Sequence, residues 1–190
     1  MAKRNRQMQK RYVYKVVESP VGPLTLVATD AGLAGILWAT DRPGRVRLDV
    51  VAEDSRHPLL MDVARQLEEY FGGERTQFTV TLDLEGTPFQ RKVWTALLTI
   101  PFGETRSYAQ IAAQIGQRGA VRAVGAANGR NPVAIVAPCH RVIGATGKLT
   151  GFAGGLEAKA LLLALESGGR DPIVRAADRG MDSAAQGHPA

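Results

Sequence analysis

The sequence predicts an α+β protein: a small N-terminal domain built on antiparallel strands, then a mainly helical C-terminal domain. Three observations support this expectation. Short apolar runs separated by turn residues fill the first half, helix-spaced apolar stripes behind capping residues fill the second, and the charge changes sign near residue 88. A length of 190 residues suits one or two domains of about 100–200 residues. With 45 % hydrophobic residues the chain can bury real cores.

Residues 1–11 hold five cations and no acid and are expected to form a disordered basic arm. The expected N-terminal domain covers residues 12–87. Tyr12–Val17, Leu24–Ala28 and Leu33–Trp38 are short β-type runs. Ser19-Pro20-Val21-Gly22-Pro23 and Asp30-Ala31-Gly32 separate them as turns, so an antiparallel meander is expected. From His57 to Phe71 the pattern is helical, with Leu60, Val63, Ala64 and Leu67 on one stripe and Gly72-Gly73 as the stop. Phe78–Leu84 reads as a further strand. The expected C-terminal domain covers residues 88–167. Thr87 and Pro88 open a helix with Phe89, Val93, Leu97 and Ile100 inward, until Pro101. Ser107 and Gln110 form a capping box for the next helix, which carries Tyr108, Ile111, Ala112 and Ile115 and stops at Gly116. Gln117-Arg118-Gly119 then leads into a helix from Ala120 to about Asn128, the pattern of a helix-turn-helix. The last helix spans about Gly155 to Ser167, and 168–190 reads as a disordered tail.

Charge is unevenly placed. The chain carries a net +6. Residues 12–87 hold 7 cations and 12 acids, whereas residues 88–166 hold 9 cations and 3 acids. No acid lies between Thr105 and Leu156, a run that contains Arg106, Arg118, Arg122, Arg130, Arg141 and Lys148. Such a run fits a polyanion surface, and it also fits a solubilising charged face. No stretch of about 18 apolar residues exists, so no membrane span is expected. The basic start lacks an apolar region behind it, which argues against a secretory signal. A single cysteine, Cys139, excludes an internal disulfide, and His57, His140 and His188 lack metal-ligand spacing. A metal-free cytoplasmic protein is the expectation.

Two features carry possible chemistry. The helix Ala120–Asn128 is almost bare, with Arg122 its one long side chain. Either it packs closely against a neighbour, or its backbone approaches DNA in the minor groove, where base information is degenerate. The apolar run Asn131 to Pro138 delivers the chain to Cys139-His140-Arg141. Cys139 is then an inert small hydrophobe or a nucleophile, and a nucleophile needs a base and an acid to orient that base. His140 is adjacent, with a water as the natural bridge. Of the acids in this half, Glu104, Glu157 and Glu166, the last closes an apolar helix and can point inward. Gly144-Ala145-Thr146-Gly147-Lys148 lacks the spacing of a phosphate loop, and no cofactor motif is present.

Pro138-Cys139-His140-Arg141-Val142, with Asn131-Pro132 before it and Gly151-Phe152-Ala153-Gly154-Gly155-Leu156 after it, resembles the active-site signature of the O6-alkylguanine-DNA alkyltransferases. The resemblance extends upstream through Pro101-Phe102-Gly103-Glu104-Thr105, Ser107-Tyr108 and Arg122-Ala123-Val124-Gly125. It is strong over about residues 88–167 and loose before them. It implies an RNase H-like N-terminal α/β domain and a C-terminal winged helix-turn-helix. The implied activity is DNA repair, in which O6-alkylguanine is flipped through the minor groove and its alkyl group passes irreversibly to Cys139, with O4-alkylthymine a further substrate. The resemblance makes His140 the base through a water, Glu166 its orienting acid, and Asn131 a brace for the turn. It makes Tyr108 a donor to the flipped ring, with Cys139 and Val142 backbone groups at the exocyclic amine. Phe152 would line the alkyl pocket beside Ala153, whose amide faces O6, and Gly154. Arg122 would fill the vacated stack, with Ala120, Ala123 and Gly125 along the groove and Ala145 near phosphate.

The implied partner is double-stranded DNA bearing O6-alkylguanine, met by a monomer, with or without cooperation between neighbours; no cofactor is implied. Phe152 and Ala153 stand where other members carry polar residues, which bears on alkyl range. With one cysteine, neither the N-terminal zinc site nor the second acceptor of some relatives is expected. Three rivals fit less well. A lesion-gripping protein without transfer would lack Cys139, a helix-turn-helix regulator would need base-reading side chains on Ala120–Asn128, and a cysteine hydrolase has no use for the basic helix pair.

Overall fold

The computed structural model describes residues 11–168 except Arg47 and Asp49, so the expected basic arm and C-terminal tail lie outside the described residues, apart from Arg11 and Gly168 at their edges. The first three strands are β1 (Tyr12–Val17), β2 (Leu24–Thr29) and β3 (Gly32–Trp38). They form the expected antiparallel meander, with β2 in the middle. The turn between β1 and β2 closes through Gly22 N–H to the Ser19 carbonyl at 2.9 Å. A fourth strand, β4 (Val50–Glu53), pairs parallel with β1 and gives the order β3-β2-β1-β4. The helix α1 (Pro58–Phe71) packs on the sheet and buries Leu60, Val63, Leu67 and Tyr70.

The expected strand at Phe78–Leu84 is absent as such. Leu82 makes only an isolated bridge to Leu33. The reason lies at the outer edge of β3, which is shared between two segments. Leu33 N–H donates to the Thr81 carbonyl at 2.8 Å and receives Asp83 N–H at 2.9 Å, while Ile36 N–H donates to the Pro132 carbonyl at 2.8 Å. Gly32 allows the close approach: its φ is +155°, and a Cβ there would stand 2.6 Å from the Thr81 carbonyl oxygen. The edge strand is thus covered rather than left open for pairing. Its far end is bound to the chain that leads to Cys139.

The second half is helical. Helix α2 (Pro88–Leu97) starts with Pro88 behind Thr87, whose side chain accepts from Gln90 N–H in a complete capping box. β5 (Arg106–Ser107) precedes α3 (Tyr108–Gln114), capped in the same way by Ser107 and Gln110. Then come α4 (Val121–Gly129), one 3₁₀ turn at Cys139–Arg141, β6 (Val142–Ile143) parallel to β5, and α5 (Gly155–Glu166). Helix α4 packs on α2 and α3, and Trp94 Nε1–H fixes it by donating to the Ala127 carbonyl at 2.9 Å. One buried apolar cluster runs through both halves, from Leu24, Ile36 and Leu67 to Val93, Ile111, Val133, Cys139 and Leu162. Burying each such side chain contributes roughly 1.5–3 kcal/mol. Among the described residues, no helix is long and apolar enough to cross a membrane.

Candidate active site

The turn before Cys139 is buried and strained. Val133 to Ala137 are buried, and Ile135 holds φ at +74°, a conformation that costs a β-branched residue about 1–3 kcal/mol. Asn131 spans the turn: its Nδ2–H donates to the Ala137 carbonyl at 2.7 Å and its Oδ1 accepts Val133 N–H at 3.1 Å. Arg45, ion-paired with Asp41, donates from Nη1 to the Asn131 carbonyl at 2.6 Å. The chain then closes into the 3₁₀ turn, with Cys139 N–H on the Ala137 carbonyl at 2.8 Å and Arg141 N–H on that of Pro138 at 3.0 Å. Three residues per turn set successive side chains about 120° apart. Cys139 and His140 therefore do not face opposite sides, as they would in an extended chain.

Glu166 is the hub of the site. Its Oε1 is 2.8 Å from His140 Nε2 and accepts from Tyr70 at 2.7 Å and from Arg141 Nη2 at 2.9 Å. Its Oε2 accepts from Arg141 Nε at 2.7 Å and from Gly103 N–H at 3.3 Å. Burial alone would raise the Glu166 carboxyl, but His140 and Arg141 outweigh it and hold it at about 2. His140 is fully buried, and burial drives its imidazole below the ordinary range despite Glu166. Its Nδ1 has no hydrogen-bond partner among the described residues. With Nε2 committed to the carboxylate, Nδ1 is the nitrogen left to take a proton.

Cys139 is 3 % exposed, and burial pushes its thiol upward against the opposing influence of Asn131, Lys159 and Arg45. Lys159 is itself wholly buried, and its Nζ donates to the Val142 carbonyl at 2.6 Å and that of Thr150 at 3.0 Å. Burial brings Lys159 down to about 8, with Cys139 opposing. Tyr108 and Thr150 hydroxyls meet at 3.0 Å. Phe152 lies edge-on to Trp38, with centroids 5.3 Å apart, and edge-on to His140 at 6.4 Å. Ala153 is half-buried beside it. Gly154 is held without a side chain, since a Cβ there would come within 2.6 Å of the Trp38 ring. The structure therefore brings Cys139, His140, Glu166 and Asn131 together, with Val142 and Phe152 beside them. It adds Tyr70, Arg141 and Lys159, which sequence reasoning missed. Arg141 lies inside the quoted motif, and Tyr70 continues the inward stripe of α1, but neither pattern says what the polar tip meets.

The second surface lies on α4. Val124, Ala127 and Asn128 face inward, while Arg122 and Ala123 are exposed and Ala120 and Gly125 are partly so. The inner face packs closely against α2 and α3, as the first reading of this helix expects, and the outer face is open. Arg122 makes no hydrogen bond or ion pair with any described residue. Ala145 is exposed at a tight turn closed by Gly147 N–H to the Gly144 carbonyl at 2.9 Å. Among the described residues, no group of His, Cys, Asp and Glu is arranged to hold a metal ion.

Comparison with known proteins bears on both surfaces. Residues 88–168 match the 6-O-methylguanine DNA methyltransferase DNA-binding domain, and residues 12–84 match the ribonuclease-like domain of the same family. The methylated-DNA–protein-cysteine methyltransferase of Mycolicibacterium paratuberculosis is 54 % identical over 155 residues, covering 80 % of this chain and 91 % of that one. That of Methanosarcina barkeri is 48 % identical over 154 residues, covering 80 % and 96 %. Among solved structures, the Mycobacterium tuberculosis O6-methylguanine methyltransferase superposes with a TM-score of 0.74 at 51 % identity, covering 84 % of this chain and 95 % of that one. The M. tuberculosis OGT in complex with DNA gives 0.75 at 48 % identity, covering 87 % and 99 %.

Proposed function

The chain belongs to the 6-O-methylguanine DNA methyltransferase family, and from that premise we propose that it repairs double-stranded DNA bearing O6-alkylguanine by moving the alkyl group onto its own Cys139, once per molecule. The observation that carries this reading is the buried array of Cys139, His140 and Glu166, with one imidazole nitrogen anchored on the carboxylate and the other unpartnered. A thiol kept protonated by burial is unreactive at rest. It becomes a nucleophile when its proton passes to His140 Nδ1 by way of a water, and the Glu166 anion stabilises the imidazolium so formed. Cys139 Sγ attacks the alkyl carbon. The S–C bond forms as the C–O6 bond breaks, and the electron pair stays on guanine. Guanine regains a proton and His140 releases one, so atoms and charge balance. Tyr108 donates its hydroxyl proton to the departing base, backbone groups at Cys139 and Val142 recognise the exocyclic amine, and the Ala153 amide faces O6 beside Phe152 and Gly154.

The target atom is out of reach in a stacked duplex, so the nucleotide is extruded into the site at a cost of a few kcal/mol. Arg122, free and exposed on α4, enters the stack and offsets part of that cost. Ala120, Ala123 and Gly125 let the helix backbone lie close along the minor groove, with Ala145 near phosphate. Lesions occur in any sequence context, and a helix poor in base-reading side chains suits that requirement. O4-alkylthymine presents the same alkyl-oxygen bond and is a further substrate. The thioether product resists hydrolysis, which limits each molecule to one turnover. Mass spectrometry of the protein after incubation with an O6-methylguanine duplex will find one added methyl group on Cys139 per lesion removed. Continued turnover, or a methyl group elsewhere, overturns the proposal.

A further inference from the structure

Among the described residues, every hydrogen-bond donor to Glu166 comes from the C-terminal half except one. Arg141 and His140 reach it from the 3₁₀ turn and Gly103 N–H from the loop after α2, while Lys159 lies about two turns earlier on its own helix and bonds elsewhere. Tyr70, on α1, crosses from the N-terminal half and donates to Oε1, the same oxygen that holds His140 Nε2. Its ring cannot drift, since Phe71, Phe78 and Phe102 surround it with centroids at 5.3, 5.3 and 6.2 Å. Burial and the neighbouring carboxylate keep its phenol protonated, so it is always a donor.

We infer that Tyr70 is a positioning residue for the transfer reaction: through its hydroxyl, the N-terminal half sets how strongly Glu166 holds His140. The inference rests on the function proposed above. A carboxylate oxygen offers two lone pairs, yet Oε1 receives His140, Tyr70 and Arg141. Each donor draws negative charge from it. A carboxylate with fewer donors would bind the imidazolium too tightly, and a histidine already protonated cannot take the Cys139 proton. The other charges facing this pair are Arg141 and Lys159, which lie on the 3₁₀ turn and α5. Tyr70 is the means by which the first half of the chain reaches Glu166.

The test is the pH profile of transfer from free O6-benzylguanine, which needs no extrusion from a duplex. Tyr70→Phe keeps the ring contacts and removes one donor. Glu166 then holds the proton on His140 more tightly, so the acid limb moves up by half a pH unit or more, the rate at pH 6 falls at least threefold, and the rate above pH 8 returns to the wild-type value. Placing 3-fluorotyrosine at position 70, a stronger donor of nearly the same shape, moves the limb the opposite way. Melting temperature and affinity for undamaged duplex serve as controls for folding. If both variants fold and neither moves the limb, Tyr70 only fills space and the inference is overturned. If the wild-type protein itself leaves Cys139 unalkylated, the proposed function fails first and this inference goes with it.

Discussion

The turn that carries Cys139 is buried and dense with charge, whereas the face of α4 that carries Arg122 is exposed and nearly bare. In the first region, Glu166, His140, Arg141, Tyr70 and Asn131 fix one another's positions, and water is largely kept out. In the second, one cation stands free among alanines and a glycine. On the proposed function, the difference follows from two tasks. Moving a proton from a thiol needs a dry, pre-set environment in which each electrostatic contact counts. Meeting a duplex at any sequence needs a smooth surface with charge left available for phosphate or for the stack. Substitutions in the two regions should therefore fail in different ways.

The largest effect is expected at Glu166. Glu166→Gln removes the anion that pairs with Arg141, whose side chain is only 8 % exposed. Breaking one partner of a buried pair costs about 3–5 kcal/mol, and the loss of the group that orients the base should slow transfer by on the order of 100-fold. Urea unfolding and transfer from the free base measure the two losses. Duplex affinity at fixed salt should hardly change while the variant is folded. A parallel loss of affinity would mean that the two regions are mechanically joined.

The same carboxylate gives a pH test of nearly equal size. Its value falls from 4.5 to about 2 on folding, so it contributes stability above about pH 4.5 that disappears as the pH drops toward 2. The shift corresponds to about 3 kcal/mol at most. Wild-type unfolding midpoints should fall steeply between pH 5 and pH 2.5, with a shallower fall in Glu166→Gln. Equal slopes would show that other acids carry the acid sensitivity.

Arg122→Ala probes the second region. With no described partner to lose, the protein should keep its stability within about 0.5 kcal/mol, the range of an ordinary surface change. Repair of duplex should slow about tenfold while reaction with free O6-benzylguanine stays the same, because only the duplex pays extrusion. Equal slowing on both substrates would place Arg122 in the chemistry instead. Raising salt should weaken duplex binding with a logarithmic slope of roughly −0.9 per phosphate neutralised, leaving the free-base reaction nearly flat.

These contrasts also explain what could be read from the sequence. Local signals were faithful: Thr87 and Ser107 cap their helices as the spacing predicts, and the turns around Gly22 and Gly32 set the meander. Cys139, its neighbouring histidine and the helix-ending Glu166, which the fold brings together, were legible because each stands at a distinctive place in the chain. Long-range pairings were not. β4 is a four-residue segment whose parallel partner lies far upstream, and Phe78–Leu84 alternates like a strand although it shares the edge it faces with the segment before Cys139. Tyr70 and Lys159 lie on helix faces whose periodicity says only that they point inward. Lys159 is further hidden by the leucines and alanines around it on α5. What a buried polar tip touches is decided by the other half of the molecule.

Gly125 sharpens the comparison with the smallest effect. A glycine inside a helix costs about 0.5–1 kcal/mol relative to alanine, and the protein has room for the change: a Cβ at Gly125 would meet Tyr108 at 3.8 Å, ordinary contact. Nothing in the fold thus requires glycine there. Gly125→Ala should raise stability by up to about 1 kcal/mol, seen as a higher urea midpoint, and leave the free-base reaction intact. If α4 lies with its backbone close to the groove, the added methyl group holds the duplex away, and duplex affinity should fall about threefold while the protein grows more stable. Opposite signs for folding and binding at one small residue would mark a position kept for the duplex. A stabilised variant with unchanged affinity would instead move the contact surface off this part of α4.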